Sequence, residues 1–188
     1  MSTDRHPDAA TPLAGVRVIG LGNPILTDDG VGIYVARLVR RLLPAGMNVE
    51  VVELATGGLG LMEAMIGCER VILIDAIWLP EEAPGRVLHF TAEALPVTLN
   101  SAAAHDIDLP GALAAGRRLG VPLPTDDAIL IVAVTAREVL TFGERPTPPV
   151  LAAIPQAAVT VLEALGCPPD AVPPVLNESM LGGYDDIA

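Results

Sequence analysis

Short apolar runs alternate along this chain with longer segments in which apolar residues recur every three or four positions. Runs of this kind predict strands at residues 16–21, 49–54, 71–74, 86–90 and 129–134. Residues 71–74 and 129–134 are apolar at every position, which is typical of central strands covered by helices on both faces of a sheet.

The segments between these runs have helical periodicity. The first predicted helix begins near Gly30, with an apolar stripe of Val31, Val35, Leu38 and Leu42 and an outer face of Arg37, Arg40 and Arg41. Further helices are predicted around residues 61–65, 107–119 and 147–166. Strands alternating with helices predict an α/β fold: a three-layer α/β/α sandwich around a mostly parallel, twisted sheet of about five strands.

The 188 residues are enough for one core, so we expect a single domain over residues 15–166. A disordered tail is expected at residues 1–14, and a loosely ordered one at residues 167–188. The net charge of −12 disfavours nucleic acid and anionic membranes as partners. No apolar run approaches the about 18 residues of a membrane span. The only two cysteines, Cys68 and Cys167, cannot form a disulfide framework, so we expect a cytoplasmic protein. We also expect it to be a monomer.

Polar residues with possible chemistry follow three of the predicted elements. Asp28 and Asp29 precede the first helix, Asp75 continues the central strand, and His105 lies in a polar run before the third helix. Ligands of open α/β sheets bind at the carboxyl ends of the strands, so we expect these side chains at one edge of the sheet.

Each of these residues also has an ordinary structural explanation. Asp28 or Asp29 could cap the first helix, Asp75 could serve a hydrogen-bonding role, and a single histidine is commonly a capping or loop residue. If the Asp28–Asp29 pair, Asp75 and His105 converge, two carboxylates and one imidazole suit zinc, nickel or iron. Three protein ligands would leave coordination positions open for another molecule.

The stretch at residues 18–32, Val-Ile-Gly-Leu-Gly-Asn-Pro-Ile-Leu-Thr-Asp-Asp-Gly-Val-Gly, resembles the first strand and metal-site loop of the hydrogenase maturation endopeptidases. Residues 72–76, a histidine opening the following helix at His105, and residues 137–143 also correspond, so the resemblance spans residues 16–165. It implies a metal-dependent, aspartic-type endopeptidase that removes a C-terminal peptide from the precursor of a nickel–iron hydrogenase large subunit.

The resemblance also implies roles for individual residues. Asp29, Asp75 and His105 fall on the positions that engage the metal, and we expect them to be both the metal ligands and the catalytic residues. The metal would be the nickel carried by the precursor, which is engaged transiently, and no organic cofactor is expected. Asp28 falls on a neighbouring acidic position with a secondary role.

Two positions depart from the family pattern. Ala55 stands where an aspartate is usual after the second strand, and Asp29 stands where a glutamate is usual. The missing carboxylate at residue 55 leaves a non-enzymatic alternative open, a metal-sensing maturation chaperone that binds the same precursor without cleaving it.

Two other enzyme classes share part of the first motif. Gly20-Leu21-Gly22 hints at a dinucleotide fingerprint, but Ile25 occupies the place of the third glycine. Gly-Leu-Gly-Asn-Pro also opens the peptidyl-tRNA hydrolases, but the rest of that family's motif does not follow Pro24 here. The acidic charge of this chain also disfavours binding of a tRNA substrate.

Overall fold

The computed structural model describes residues 15–55, 57–94, 109–143 and 145–167. The strands are β1 (Val16–Leu21), β2 (Val49–Leu54), β3 (Arg70–Ile77), β4 (Val87–Thr91) and β5 (Ile129–Thr135). The helices are α1 (Val31–Leu42), α2 (Gly58–Met65), α3 (Leu109–Arg118) and α4 (Pro148–Ala164). Short 3₁₀ turns lie at Ala92–Ala94 and Asp126–Ala128.

The strands form one sheet in the order β2-β1-β3-β5-β4. β1 pairs in parallel with β2 and β3, β3 pairs in parallel with β5, and β4 runs antiparallel to β5. The chain passes from β3 to β4 without a helix, so β4 runs back against the other strands. The predicted mostly parallel, five-stranded α/β/α fold is therefore confirmed.

The sheet has an apolar core on each face. On one face, Val35 of α1 and Ile154 of α4 pack in the same cluster as Ile72 and Ile74 of β3. On the other face, residues of α2 and α3 share a cluster with the alternate positions of β3: Leu61, Met65, Leu109, Leu113, Val71, Leu73 and Ile77. Burial on both faces explains why the central strands are apolar at nearly every position.

Most of the predicted elements are confirmed, with differences at their ends. β3 continues past the predicted residue 74 to Ile77, so Asp75 lies inside the strand rather than after it. The reason is that the carboxylate does not interrupt the strand: its Oδ1 accepts a hydrogen bond from the backbone N–H of Ala76 (2.8 Å). α4 begins at Pro148 and runs through Pro155 as one helix.

The predicted tails fall almost wholly outside the described residues, as does the start of the third predicted helix at residue 107. Cys167 is described and buried, and its backbone N–H donates to the carbonyl oxygen of Leu162 (2.8 Å). Within the ranges given above, no helix combines the length and the apolar character that crossing a bilayer would need.

Candidate functional site

The loop between β1 and α1 turns back on itself immediately after the strand. Gly22 has a φ of +141°, and a Cβ atom there would lie 2.0 Å from the carbonyl oxygen of Asp29, so no other residue fits this position. Within the loop, the N–H of Leu26 donates to the carbonyl oxygen of Asn23 (3.0 Å), and the N–H of Gly30 donates to that of Leu26 (3.2 Å). These contacts hold the backbone of Asp29 directly over the end of β1.

Asp29 and Asp75 are both almost fully buried at the carboxyl end of the parallel strands, with exposures of 1% and 5%. The Oδ2 atom of Asp29 accepts a hydrogen bond from the backbone N–H of Asn23 (2.7 Å). The first turn of α1 packs closely against β3. The evidence is at Gly32, where a Cβ atom would lie 2.4 Å from the carbonyl oxygen of Ile74. The structure therefore brings the loop of Asp29 and the strand of Asp75 to the same edge of the sheet, as predicted.

Asp28 has a different role from its neighbour. Its side chain is fully buried and accepts hydrogen bonds from the backbone N–H groups of Thr147 (2.7 Å), Glu138 (3.2 Å) and Arg137 (3.4 Å). The N-cap position of α1 is Gly30, which has no side-chain cap hydrogen bond. The capping explanation therefore does not apply to the Asp28 side chain, which is turned toward the connection between β5 and α4.

That connection also pairs with the β1–α1 loop through its backbone. The N–H of Thr27 donates to the carbonyl oxygen of Thr141 (3.0 Å), and Leu26 and Phe142 form an isolated antiparallel bridge. The paired loops leave Ile25, Leu140 and Phe142 exposed at 46%, 81% and 79%. An apolar, solvent-facing surface thus adjoins the loop that carries Asp29.

His105 lies outside the described residues. The described helix that follows it begins at Leu109, which packs in the same cluster as Leu73 and Ile77 on either side of Asp75. Among the described residues, no group of three or more His, Cys, Asp or Glu side chains could hold a metal ion. The predicted set of Asp29, Asp75 and His105 remains a prediction.

Two positions near this edge complete the description. Ala55 is exposed directly after β2, at the position where the resemblance to the hydrogenase maturation endopeptidases implies an aspartate. Thr135, which the sequence analysis did not single out, is buried at the end of β5; its Oγ1 donates to the carbonyl oxygen of Ala83 (2.7 Å) and accepts from the N–H of Arg86 (2.8 Å). A threonine that ends an apolar run was the one available signal for this role.

Charged side chains tie α1 to β2 beside the site. Arg37 and Arg40 of α1 form ion pairs with Glu53 at 3.0 Å and 2.7 Å. Burial of Glu53 favours its neutral form, but the hydrogen bonds from Arg40 and Arg37 outweigh that effect and lower the pKa of the carboxyl group.

A matching family model and several known proteins that this chain resembles are described as hydrogenase maturation proteases. A family model described as hydrogenase maturation protease matches residues 33–164. The hydrogenase 2 maturation protease of Escherichia coli (strain K12) is 29% identical over 106 residues, which is 56% of this chain and 65% of that protein, slightly less than two thirds of the relative's length.

Solved structures resemble the whole described fold. The hydrogenase maturating endopeptidase HybD from E. coli has a TM-score of 0.67 at 29% identity, over 81% of this chain and 92% of that one. The [NiFe] hydrogenase maturation protease HybD from Thermococcus kodakarensis has a TM-score of 0.60 at 28% identity, over 80% and 98% of the two chains.

Proposed function

The chain belongs to the hydrogenase maturation protease family, and from this premise we propose that it is an endopeptidase acting on the precursor of a nickel–iron hydrogenase large subunit. It removes a C-terminal peptide once nickel has been inserted, and the bound nickel is the feature it recognises. The observation that carries the proposal is the pair of buried carboxylates, Asp29 and Asp75, at the carboxyl edge of the sheet.

Asp29, Asp75 and His105 engage the nickel of the precursor as ligands and are the catalytic residues of this proposal. Carboxylate and imidazole are ligands suited to nickel, and a metal held by few protein ligands keeps positions open for the rest of its ligands. His105 precedes Leu109, which packs on the face of the sheet where β3 presents Leu73 and Ile77. The described chain after His105 therefore lies against the strand that carries Asp75, which supports including His105 in the proposed set.

The chain's own contribution to the reaction is positioning. The hydrogen bond from Asn23 N–H restricts the Asp29 carboxylate, and the burial of both aspartates reduces competition from water. Nickel held in this way would place the scissile peptide at a fixed position, where water adds its hydroxyl group to the carbonyl carbon and a proton to the leaving amine.

We further propose that the protein acts as a cytoplasmic monomer.

The second candidate function is a metal-sensing chaperone that binds the same precursor without cleaving it. It rests on Ala55, which provides no carboxylate at the exposed end of β2. The two functions differ in turnover, because a chaperone leaves the length of its partner unchanged.

The deciding experiment mixes the protein with a large-subunit precursor prepared with and without nickel and follows the precursor's mass. Loss of a C-terminal peptide from the nickel-loaded form alone is the expected result. An unchanged mass in a stable complex would overturn the protease function in favour of the chaperone, and cleavage of both forms would overturn nickel recognition.

A further inference from the structure

We propose that Asp28 is a positioning residue, which fixes the loop carrying Asp29 to the β5–α4 connection and so sets the orientation of the Asp29 carboxylate. The consequence for cleavage rests on the proposed function, whereas the effect on the loop does not. The inference starts from the contrast between adjacent aspartates: Asp29 is turned toward Asn23, and Asp28 toward a connection 109 to 119 residues away in sequence.

A carboxylate matches the donors that surround residue 28. Oδ1 accepts from Thr147 N–H (2.7 Å), and Oδ2 accepts from Glu138 N–H (3.2 Å) and Arg137 N–H (3.4 Å). All three partners are backbone N–H groups, which can only donate, so both carboxylate oxygens must act as acceptors. An asparagine has the same shape but presents an amide NH₂ group to at least one of these donors, which leaves a buried N–H group without its acceptor.

The donors lie in the connection that leads from β5 into α4. Thr147 is the N-cap of α4, and a negative charge at the N-terminus of a helix is stabilised by the helix dipole. The backbone N–H of Asp28 also donates to the carbonyl oxygen of Glu138 (3.1 Å), so residue 28 is fixed through both its side chain and its main chain.

Asp29 follows Asp28 directly in the chain, so fixing Asp28 also restricts the backbone of Asp29. The carbonyl oxygen of Asp29 packs against Gly22, where a Cβ atom would lie 2.0 Å from it. The Oδ2 atom of Asp29 accepts a hydrogen bond from the N–H of Asn23 (2.7 Å). If the Asp28 side chain loses its partners, hydrogen bonds such as those of the Asp28 main chain and of Thr27 still hold the loop to the connection. The loop is then held less firmly, and the Asn23–Asp29 hydrogen bond opens more often.

The test compares Asp28→Asn with Arg70→Gln. Arg70 ties the opposite end of α4, donating from Nη1 to the carbonyl oxygen of Ala164 (2.8 Å), so its substitution removes a charged tether of the same helix without touching the loop of Asp29. Amide hydrogen exchange at Asn23 is followed by NMR in both variants, at a temperature where circular dichroism shows them fully folded. We expect exchange at Asn23 to accelerate by about tenfold or more in Asp28→Asn and to remain at the wild-type rate in Arg70→Gln.

A second variant keeps the test decisive if Asp28→Asn does not fold. Thr147→Pro leaves Asp28 in place and removes one donor; its backbone φ of −58° already suits proline. The same acceleration at Asn23 is expected. Unchanged exchange at Asn23 in a folded variant, or an equal change in Arg70→Gln, would overturn the positioning role.

Cleavage of the nickel-loaded precursor is then measured under single-turnover conditions. We expect the rate per folded molecule to fall about tenfold or more in Asp28→Asn and to be unchanged in Arg70→Gln. A wild-type cleavage rate in Asp28→Asn would overturn the link to catalysis. A wild-type protein that cleaves nothing would overturn the proposed function instead, and the exchange measurement would still decide whether Asp28 positions the loop.

Discussion

Arg70 at the start of β3 donates a hydrogen bond from Nη1 to the carbonyl oxygen of Ala164, the last residue of α4, at 2.8 Å. At the other end of α4, Asp28 accepts a hydrogen bond from the N–H of Thr147. A cation at the C-terminus and an anion at the N-terminus both match the helix dipole. The longest described helix is thus tied to the sheet at its C-terminus and to the β1–α1 loop at its N-terminus, and the second tether adjoins the candidate site.

Removing either buried carboxylate of the candidate site should abolish cleavage. Asp29→Asn and Asp75→Asn keep the shape of the side chain but remove the negative charge that a metal ligand needs. We expect the rate of cleavage of the nickel-loaded precursor to fall by about 100-fold or more for each variant. The mass of the precursor over time provides the measurement.

The matched control is Asp127→Asn, an exposed aspartate in the 3₁₀ turn that precedes β5, at the opposite end of that strand. It should cleave at the wild-type rate. Near-wild-type activity in either Asp29→Asn or Asp75→Asn would exclude that residue from the nickel-binding set. His105→Ala should abolish processing in the same assay while leaving the circular dichroism spectrum unchanged.

The sequence predicted the first two strands to the residue. β1 and β2 begin and end where predicted, although Arg17 interrupts the apolar run of β1 and two glutamates interrupt that of β2. Gly15 and Gly22 mark the two ends of β1. The pattern failed at Asp75, where a charged residue suggested the end of a strand that continues to Ile77. The periodicity of the sequence gives no indication that the Asp75 carboxylate accepts a hydrogen bond from the next backbone N–H, that of Ala76.

The candidate site was predictable only in part. The rule that ligands bind at the carboxyl ends of parallel strands pointed to the edge of the sheet where the loop of Asp29 and the strand of Asp75 lie, whereas the grouping of their side chains with His105 stays a prediction. The role of Asp28 was not predictable, because its partners lie 109 to 119 residues away and are backbone groups, which carry no signal in the identities of residues 137, 138 and 147.

The close packing of α1 on the sheet can be tested at Gly32. A Cβ atom there would lie 2.2 Å from the carbonyl oxygen of Leu21 and 2.4 Å from that of Ile74, both backbone atoms of the strands. Gly32→Ala should therefore destabilise the protein by about 3 kcal/mol or more, despite the higher helix propensity of alanine. Chemical denaturation followed by circular dichroism measures the free energy of unfolding.

Gly116 in α3 is the matched control for this substitution. A Cβ atom there would meet Met62 Sδ at 2.6 Å and Leu123 Cδ1 at 2.7 Å, and both are the ends of flexible side chains. We expect Gly116→Ala to change the free energy of unfolding by less than about 1 kcal/mol. Equal losses in the two variants would show that α1 is not held against the strands by backbone contact.

The ion pairs of Glu53 predict a specific dependence of stability on pH. Burial opposes ionisation of Glu53, but its bonds with Arg40 and Arg37 hold the pKa below the ordinary value of 4.5. Because the folded state lowers this pKa, the stabilisation is present above pH 4.5 and is lost as the pH falls through the lower, folded value. Glu53→Gln should therefore be less stable than wild type at about pH 7 and approach wild-type stability in acid.

The difference at neutral pH should be about 0.5–1 kcal/mol, since the pairs remain partly open to solvent. Glu50→Gln serves as the control, because Glu50 pairs with Arg17 while its side chain is 60% exposed. We expect a smaller effect there. A Glu53→Gln difference that grows on acidification would contradict the lowered pKa.

Thiol reactivity tests whether both faces of the sheet are closed. Cys68 and Cys167 are 3% and 7% exposed and lie in the clusters on opposite faces. Burial raises the pKa of the Cys68 thiol, so at about pH 8 it is both shielded and protonated, and the thiolate that reacts with disulfide reagents is scarce. The native protein should react slowly with Ellman's reagent, and two thiols should react at once in guanidinium chloride. Cys167→Ser isolates Cys68, and rapid modification of that thiol in the native protein would show that the face covered by α2 and α3 opens readily.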